Sequence, residues 1–233
     1  MTERRVAALI PCLDAAATVG DVVQGARASL QTVLVVDDGS SDTSVVAAEQ
    51  AGAEVLRQPR NLGKGAALRR GLAELEDRGF THVVTLDADG QHLPEEIPNL
   101  LALSERKPDA LIIGARLRDG VHEIAPIKRF GNSFADGWVV RAGGPKLKDS
   151  QSGFRVYPLA ALHTILRDEV RGLRFEFETE VVILAGRRGI EIDSVDIHVH
   201  YPPPEERHSY YRPWIDTIRI IRIVIPFWRG WRR

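Results

Sequence analysis

The 233-residue sequence is long enough for one well-buried domain, and its 44% hydrophobic and 27% charged residues are ordinary for a folded protein. The net charge of −1 argues against a nucleic-acid-binding protein, because phosphate contacts usually require a basic face. The single cysteine, Cys12, excludes an internal disulfide and fits a reducing compartment. The N-terminal residues lack the long apolar core of a signal peptide, and no stretch approaches the ~20 uncharged apolar residues of a spanning helix. We therefore expect a cytoplasmic protein that at most lies on a membrane surface.

Strands alternate with helices through the first half of the chain. Strands are predicted at residues 6–11, 32–38, 54–58, 82–87 and 109–115, and helices at 17–30, 42–52, 63–79 and 94–106. This alternation predicts an α/β fold with a mostly parallel sheet that is covered by helices on both faces. In such sheets ligands bind at the carboxyl ends of the strands, which is where Asp37-Asp38 and Asp87-Asp89 fall.

The pattern beyond residue 116 is less regular. A polar stretch, "GGPKLKDSQSGFRVY", leads into a strand, "FEFETEVVILAGRRG" has helical character, and "IEIDSVDIHVHY" alternates as an edge strand does. No internal repeat and no low-complexity linker is present. We expect a single domain over residues 1–212, followed by a distinct segment at 213–233.

The stretch "VVTLDADGQHLPEE" ends an apolar run with two like charges, Asp87 and Asp89. A hard cation between the two carboxylates would relieve their repulsion and would also bridge phosphate oxygens. A calcium loop fits poorly, because Gln91 occupies the fifth position. A phosphatase nucleophile loop would carry threonine there and would normally follow the first strand. A solvated acidic turn is the third alternative, and this stretch alone leaves it open.

Two glycine-containing stretches are candidates for nucleotide binding. In "VLVVDDGSSDTS" a capped helix explains Ser40 to Thr43, but the paired Asp37 and Asp38 at the strand end also offer acceptors for a base or ribose. In "NLGKGAALRRG" neither the Walker spacing nor the GxGxxG fingerprint is met, which argues against a nucleotide triphosphatase and a dehydrogenase. Lys64 near a pyrophosphate and glycines that permit helix packing both remain open.

The ordered motifs "IPCLDAAATVG", "VVDDGSSDTS", "NLGKGAAL", "LDADGQHLPEEI", "IIGAR", "DSQSGFRVY" and "FEFETEV" resemble family 2 glycosyltransferases. The chain is most similar to the polyprenyl-phosphate branch, typified by dolichyl-phosphate mannose synthase, and the match covers nearly its whole length. The resemblance implies the GT-A (nucleotide-diphospho-sugar transferase) fold. It also implies an inverting transfer of a hexose from a UDP- or GDP-sugar to a polyprenyl phosphate, with Mg²⁺ or Mn²⁺ as cofactor.

The same resemblance assigns site residues. Those implied to bind the nucleotide-sugar are Pro11, Leu13, Val36, Asp38, Asp87, Ala88, Asp89, Gln91, Arg116, Arg207 and Arg212. Asp87, Asp89 and Gln91 would hold the metal, with Asp89 the more direct ligand. Arg116 would face the phosphates of the donor or the acceptor. Asp149 would orient the acceptor, would act as a base toward a hydroxyl acceptor, or would merely cap a loop; Arg155 would bind acceptor phosphate or pair with a carboxylate.

One motif departs from the family pattern. The usual Asn-Glu pair of the first motif is replaced in Leu13-Asp14-Ala15-Ala16, and the missing glutamate normally helps to hold the nucleotide. Two further hypotheses therefore stand beside the leading one. The acceptor could be another lipid or a glycan hydroxyl, or the protein could be a catalytically silent nucleotide-sugar-binding protein.

The C-terminal segment favours a lipid acceptor. Residues 205–233 carry seven arginines against Glu205, Glu206 and Asp216, a local charge of +4. Apolar residues recur at helical spacing, and tryptophans lie among the arginines near the end. This pattern predicts an amphipathic helix at 213–233 on an anionic membrane surface. A core-packing last helix is the alternative, and a membrane-spanning partner is conceivable because the chain has no spanning helix of its own.

Overall fold

The computed structural model describes residues 3–117, 140, 147–200, 222, 225 and 227. The strands are β1 Val6–Cys12, β2 Val33–Asp37, β3 Glu54–Arg57, β4 His82–Thr85, β5 Leu111–Arg116, β6 Arg155–Pro158 and β7 Ile192–Ile197. The helices are α1 Val19–Ser29, α2 Ser44–Gln50, α3 Lys64–Asp77, α4 Ile97–Arg106, α5 Leu159–Thr164 and α6 Glu176–Arg187. A 3₁₀ turn at Pro94–Glu96 precedes α4, and a π-helical turn at Ile165–Glu169 follows α5.

The seven described strands form one sheet in the order β3-β2-β1-β4-β6-β5-β7. The β1–β2, β1–β4, β2–β3 and β5–β7 pairs are parallel, while β6 runs antiparallel to both β4 and β5. The prediction of a mostly parallel α/β sheet is therefore confirmed. The predicted edge strand becomes β7, which pairs with β5 in parallel.

Each face of the sheet is covered by helices, because the apolar strands alternate their side chains between two cores. On one face Leu9 and Leu34 pack with residues of α3, α5 and α6. On the other face Ile10 and Val35 pack with residues of α1, α2 and α4. The two layers hold the strands rigidly, so the loops at their carboxyl ends start from fixed positions.

The glycines of "NLGKG" are required by close packing at the start of α3. Gly63 has φ +105°, and a Cβ there would lie 2.3 Å from the carbonyl oxygen of Leu173. A Cβ on Gly65 would lie 2.6 Å from Cβ of Phe177. The beginning of α3 thus lies directly against the segment that leads into α6, and the packing interpretation of these glycines is confirmed.

Part of the C-terminal segment packs against the core. Phe227 is buried, its carbonyl accepts a hydrogen bond of 2.7 Å from Nη2 of Arg187, and the Arg187 guanidinium lies 5.2 Å from the Phe227 ring centroid. Arg222 is exposed and Ile225 is partly buried. Phe227 therefore packs against the core, as the core-packing alternative predicts for this residue. Within the described residues, none of the helices has the length and apolar character that a membrane crossing needs.

Candidate active site

The site lies at the carboxyl edge of the sheet, beyond β1, β2, β4 and β5. The antiparallel direction of β6 brings one further segment to this edge. Arg155, the first residue of β6, pairs with Thr85 at the end of β4. The hydroxyl of Thr85 also donates to the carbonyl of Gly153 at 2.7 Å. Residues 149–154, which precede β6, therefore lie at the site. The other segments of the site follow the strands β1, β2, β4 and β5.

Asp87 is held by a lysine that comes from another part of the chain. Nζ of Lys64 lies 2.6 Å from Oδ1 of Asp87 and 3.1 Å from Oε1 of Glu178. Burial is the largest single influence and alone would raise the pKa of Asp87, but the charge and hydrogen bond of Lys64, together with other nearby positive charges such as Arg116, lower that pKa to about 2. Burial would lower the pKa of Lys64, but the two carboxylates raise it well above its ordinary value. Asp87 and Lys64 are therefore both ionised at neutral pH.

Asp89 is bound differently, by its own loop. The backbone N–H of Gln91 donates to Oδ1 of Asp89 at 3.0 Å, and the Gln91 amide donates to Oδ2 at 2.9 Å. Partial desolvation and the neighbouring charge of Asp87 raise the pKa of Asp89 to about 6. Asp89 is exposed, so its carboxylate faces the open side of the site. The repulsion expected between the two aspartates is thus present in the structure.

His92 lies behind this loop as a neutral ring. The backbone N–H of Asp87 donates to Nδ1 of His92 at 3.2 Å, which leaves the proton on Nε2. Burial lowers the pKa of His92 to about 4, and its ring packs against Phe154 with centroids 5.3 Å apart. The loop is also tied to the end of β7, because the N–H of His200 donates to the carbonyl of Gln91 at 2.9 Å. His92 therefore supports the backbone that carries Asp87.

Arg116 and Asp149 form a two-point ion pair. Nε and Nη2 of Arg116 donate to the two carboxylate oxygens of Asp149 at 2.6 and 3.0 Å. Asp149 is buried, and Arg116 is close enough to lower the pKa of both Asp87 and His92. Paired carboxylate–guanidinium geometry of this kind fixes the orientation of both planar groups. The structure therefore brings the predicted Arg116 and Asp149 together beside Asp87.

The predicted residues on β1 and β2 are more enclosed. The carboxylate of Asp38 accepts hydrogen bonds from the Gln58 amide and from the N–H groups of Leu62 and Gly63, at 2.7, 2.7 and 2.8 Å. Burial raises the pKa of Asp38. The side chain of Val36 is fully buried in the core. Asp38 thus holds the loop that precedes α3.

The remaining predicted residues are placed as follows. Pro11 is buried beside Val36, and Leu13 is partly exposed. Ala88 is buried, and its carbonyl accepts a 2.6 Å hydrogen bond from the hydroxyl of Thr18. Arg207 and Arg212 lie outside the described residues.

The divergent first motif is tied to the loop after β2. The N–H of Asp14 donates to the Ser40 hydroxyl at 2.9 Å, and Oδ1 of Asp14 accepts from the N–H of Ser41 at 2.7 Å. The N–H of Ala15 donates to the Ser44 hydroxyl at 2.7 Å. The departure from the family pattern therefore leaves a well-ordered turn.

Arg155 is a structural residue. It is fully buried, and its three side-chain nitrogens donate to the carbonyls of Ser150, Ser152 and Glu178 at 2.7 to 2.8 Å. Neither interpretation from the sequence, an acceptor-phosphate contact or a carboxylate pair, describes these contacts. Arg155 instead shapes the segment that carries Asp149.

The donor set fits a divalent cation that is shared with a substrate. Among the residues that the structure describes, no group of three or more His, Cys, Asp and Glu side chains is arranged to hold a metal ion. Mg²⁺ commonly uses only one or two carboxylates and completes its shell with phosphate oxygens and water, and Mn²⁺ accepts the same oxygen ligands. Asp87 and Asp89, whose repulsion a cation would relieve, match that pattern. Gln91 supports Asp89 through its amide N–H.

The predicted site residues do not include His92 or Glu178, and Lys64 was considered only as a possible pyrophosphate contact. Lys64 stands in a motif that fails the nucleotide-binding patterns, and Glu178 lies in a predicted helix. A signal was present, since "FEFETE" places three glutamates at alternate positions in an apolar helix, and buried carboxylates need partners. Only the packing of α6 on α3 identifies the partner as Lys64.

The fold and the site together define a nucleotide-sugar transferase of the GT-A fold. Glucosyl-3-phosphoglycerate synthase from Mycobacterium tuberculosis, solved with Mn²⁺, UDP-glucose and phosphoglyceric acid, shares this fold with a TM-score of 0.74. The two chains are 19% identical, and the match covers 97% of this chain and 80% of that one. The chain belongs to glycosyl transferase family 2, whose model matches residues 7–161. It is a glycosyltransferase, and the predicted GT-A fold is confirmed.

Curated relatives agree with the branch that the motifs indicate. Undecaprenyl-phosphate mannosyltransferase from Micrococcus luteus is 32% identical over 171 residues, which cover 71% of this chain and 70% of that protein. UDP-N-acetylglucosamine–dolichyl-phosphate N-acetylglucosaminyltransferase from Methanococcus voltae is 25% identical over 221 residues, which cover 86% and 88%. The resemblance to the polyprenyl-phosphate branch of the family is confirmed.

Proposed function

We propose that this glycosyltransferase moves a hexose from a UDP- or GDP-sugar to a polyprenyl phosphate, with inversion at the anomeric carbon and with Mg²⁺ or Mn²⁺. Relatives named for dolichyl and undecaprenyl phosphates support this acceptor class. In the transfer, an acceptor phosphate oxygen forms a bond to C1 of the sugar while the bond from C1 to the donor diphosphate breaks. The nucleoside diphosphate leaves with the bonding electron pair.

The observation that supports a phosphate acceptor best is that the carboxylates of the site already have partners. Asp87 is paired with Lys64, Asp149 with Arg116, and Asp89 accepts two hydrogen bonds from Gln91. Asp87 and Asp149 are weak general bases because each is held in an ion pair, and Asp89 would be occupied by the cation. A phosphate acceptor is already an anion near neutral pH and needs no base, whereas a hydroxyl acceptor does. The site is therefore better suited to a phosphate acceptor.

The residues present would divide the work between binding and charge neutralisation. Asp87 and Asp89 would hold the divalent ion, which when bound supplies positive charge to the leaving diphosphate. Asp149 orients Arg116, so that the guanidinium brings a fixed positive charge beside Asp87. Lys64 keeps Asp87 ionised. Prearranged charge and in-line positioning are the main contributions that such a displacement requires.

We also propose that the protein works at the cytoplasmic face of a membrane, on an anionic surface, with residues 213–233 close to the lipid. The support is the chemistry of the proposed acceptor and the +4 charge of residues 205–233. Cosedimentation with vesicles of anionic lipid, compared with neutral vesicles, measures this association. Equal sedimentation with both would remove the electrostatic part of the proposal.

The test of the reaction is mass spectrometry of lipid products. Purified protein is incubated with Mn²⁺ or Mg²⁺, polyprenyl phosphate in detergent and a panel of UDP- and GDP-sugars. We expect a new polyprenyl-phosphate-hexose that disappears with a chelator and in the Asp89→Ala variant. Asp21→Ala, which removes an exposed carboxylate on α1, is the matched control and should retain the product.

Two negative outcomes of this experiment would change the assigned acceptor. If no donor yields a lipid-phosphate sugar although the protein binds nucleotide with metal, the phosphate acceptor is wrong. A sugar found instead on a glycan or lipid hydroxyl would assign the acceptor to the second class, and Asp149 would then be the residue to test as a base.

A further inference from the structure

Three buried glutamates stand at alternate positions in the first turns of α6, and they have different partners. Glu176 accepts hydrogen bonds from the N–H groups of Leu173 and Arg174 at 3.2 and 3.3 Å. Glu180 accepts from the N–H groups of Arg171 and Gly172. These two hold the backbone that leads into the helix. Glu178 instead faces the ammonium of Lys64, and it thereby connects α6 to the site.

The contact between Glu178, Lys64 and Asp87 is tightly packed. The three groups meet over Gly153, where a Cβ would lie 2.8 Å from Oε1 of Glu178, 2.9 Å from Nζ of Lys64 and 3.1 Å from Oδ1 of Asp87. Gly153 thus leaves the room that this cluster fills. Because the charged atoms are enclosed on this side, each constrains the orientation of the others.

A lysine that is bound at one point only would keep much of its freedom, since its ammonium lies at the end of a flexible four-carbon stem. Two carboxylates, at 2.6 and 3.1 Å, restrict the position of Nζ of Lys64. The ammonium then engages Oδ1 of Asp87, while Oδ2 lies on the side of His92, 3.8 Å from Nδ1. The orientation of Asp87 therefore depends on Glu178 through Lys64.

We infer that Lys64 and Glu178 are positioning residues that set the orientation of Asp87 for binding the divalent cation. This inference rests on the metal-dependent function proposed above. Neither residue needs to contact the cation. Outer partners that orient a ligand typically change metal affinity 10- to 100-fold when they are removed.

The experiment measures Mn²⁺ binding directly, from the loss of the electron paramagnetic resonance signal of the free ion, with and without UDP. We expect Lys64→Met to weaken Mn²⁺ binding about 10- to 100-fold. Glu178→Gln should weaken it by a smaller factor. Glu176→Gln is the matched control, because it alters a buried glutamate two residues away and keeps an acceptor oxygen. Its affinity for Mn²⁺ should stay within about twofold of the wild type, within ordinary measurement scatter.

A double variant separates positioning from mere stability. Lys64→Met leaves the carboxylates of Glu178 and Asp87 without their ammonium, and because Glu178 is enclosed the melting temperature should fall. Lys64→Met with Glu178→Met also removes the more buried carboxylate and leaves only that of Asp87, so we expect the melting temperature to recover largely while Mn²⁺ affinity stays low. Recovery of both together would make the role structural and overturn the inference.

Two other outcomes also decide the matter. Unchanged or tighter Mn²⁺ binding by Lys64→Met and Glu178→Gln would overturn the positioning role but leave the proposed function intact. A wild-type protein that binds no Mn²⁺ even with nucleotide would overturn the metal dependence of the proposed function, and this inference with it. The wild-type measurement therefore distinguishes the two failures.

Discussion

The ends of β2 and β4 look alike in the sequence but differ in the folded protein. Two aspartates lie at or just beyond the end of each strand, at the same edge of the sheet. Asp38 is buried, and its oxygens accept three hydrogen bonds that hold residues 58–63. Asp89 is exposed, and among the described residues its hydrogen bonds come from Gln91 in its own short loop. Asp38 shapes the site, whereas Asp89 lies on its open side.

The difference follows from what the rest of the chain places against each strand end. The loop before α3 covers Asp38 with donor N–H groups, which satisfy a buried carboxylate. After β4 the closest partner is the ammonium of Lys64, which contacts Asp87, with His92 further away. Identical residue types at equivalent positions therefore acquire structural or chemical roles from their partners, and each role can be tested separately.

The largest expected effect is the loss of transfer in Asp89→Asn. The substitution keeps the shape of the side chain but removes the charge that would bind the cation, so turnover should fall at least about 100-fold. Product formation by mass spectrometry measures this, and circular dichroism checks that the fold is retained. Comparable turnover loss in Asp38→Asn, at equal folded fraction, would break the distinction between the two strand ends.

The second effect is a loss of stability in Asp38→Ala. The substitution leaves the N–H groups of Leu62 and Gly63 and the Gln58 amide without their acceptor, and it opens a small cavity. We expect the free energy of unfolding to fall by about 2–4 kcal/mol, since each buried unsatisfied group costs roughly 1–3 kcal/mol. Urea unfolding measures it, with Asp21→Ala as the control. A change below about 0.5 kcal/mol, the usual scale of a surface substitution, would contradict the structural role.

A smaller effect should appear in the metal-free protein as a function of pH. The pKa of Asp89 is raised from 3.8 to about 6, so its ionisation costs native-state stability as the pH rises through this interval. Asp89→Asn removes that cost. Because Asp89 is exposed and its charge is screened, we expect a gain of about 1 kcal/mol, or roughly 2–4 °C in melting temperature.

Thermal unfolding in the presence of a chelator measures this gain. It should be complete above pH 6 and should shrink between pH 6 and pH 4. A gain that is independent of pH, or a loss of stability, would show that the two carboxylates do not repel each other.

The smallest expected effect is slow alkylation of Cys12 in the native protein. Cys12 pairs with Asp37 in the sheet. Burial raises the pKa of the Cys12 thiol from 9.0 to about 11, which lowers the thiolate fraction about 100-fold. Iodoacetamide should therefore label the native protein at pH 8 very slowly and the urea-unfolded protein quickly. Rapid native labelling would mean that the end of β2 is more open than the structure indicates.

Much of the fold could be predicted because the strands and helices carry local signals. Apolar runs located β1 to β5 within a few residues, and the helical spacing of α1, α3 and α4 was equally clear. The insertion of β6 between β4 and β5 could not be predicted, because strand order depends on long-range packing. Helix α5 and its π-helical turn had no counterpart among the predicted elements.

The site was predictable where its residues follow strands. Asp87, Asp89 and Arg116 reach one edge of the sheet at the ends of β4 and β5, as the motifs indicate, and Asp149 reaches the same edge from the segment before β6. Lys64 and Glu178 escaped prediction because their roles exist only once α6 packs on α3. The role suggested for Arg155 failed for the same reason, since a sequence does not show that an arginine is surrounded by three carbonyls.

The ion pair between Arg116 and Asp149 also acts as a clasp on the chain. Arg116 ends β5, and Asp149 precedes β6, so the two residues mark the departure and the return of the segment between them. Because both ends of that segment are held by one ion pair, we expect insertions or deletions between them to leave β5, β6 and Asp87 in place.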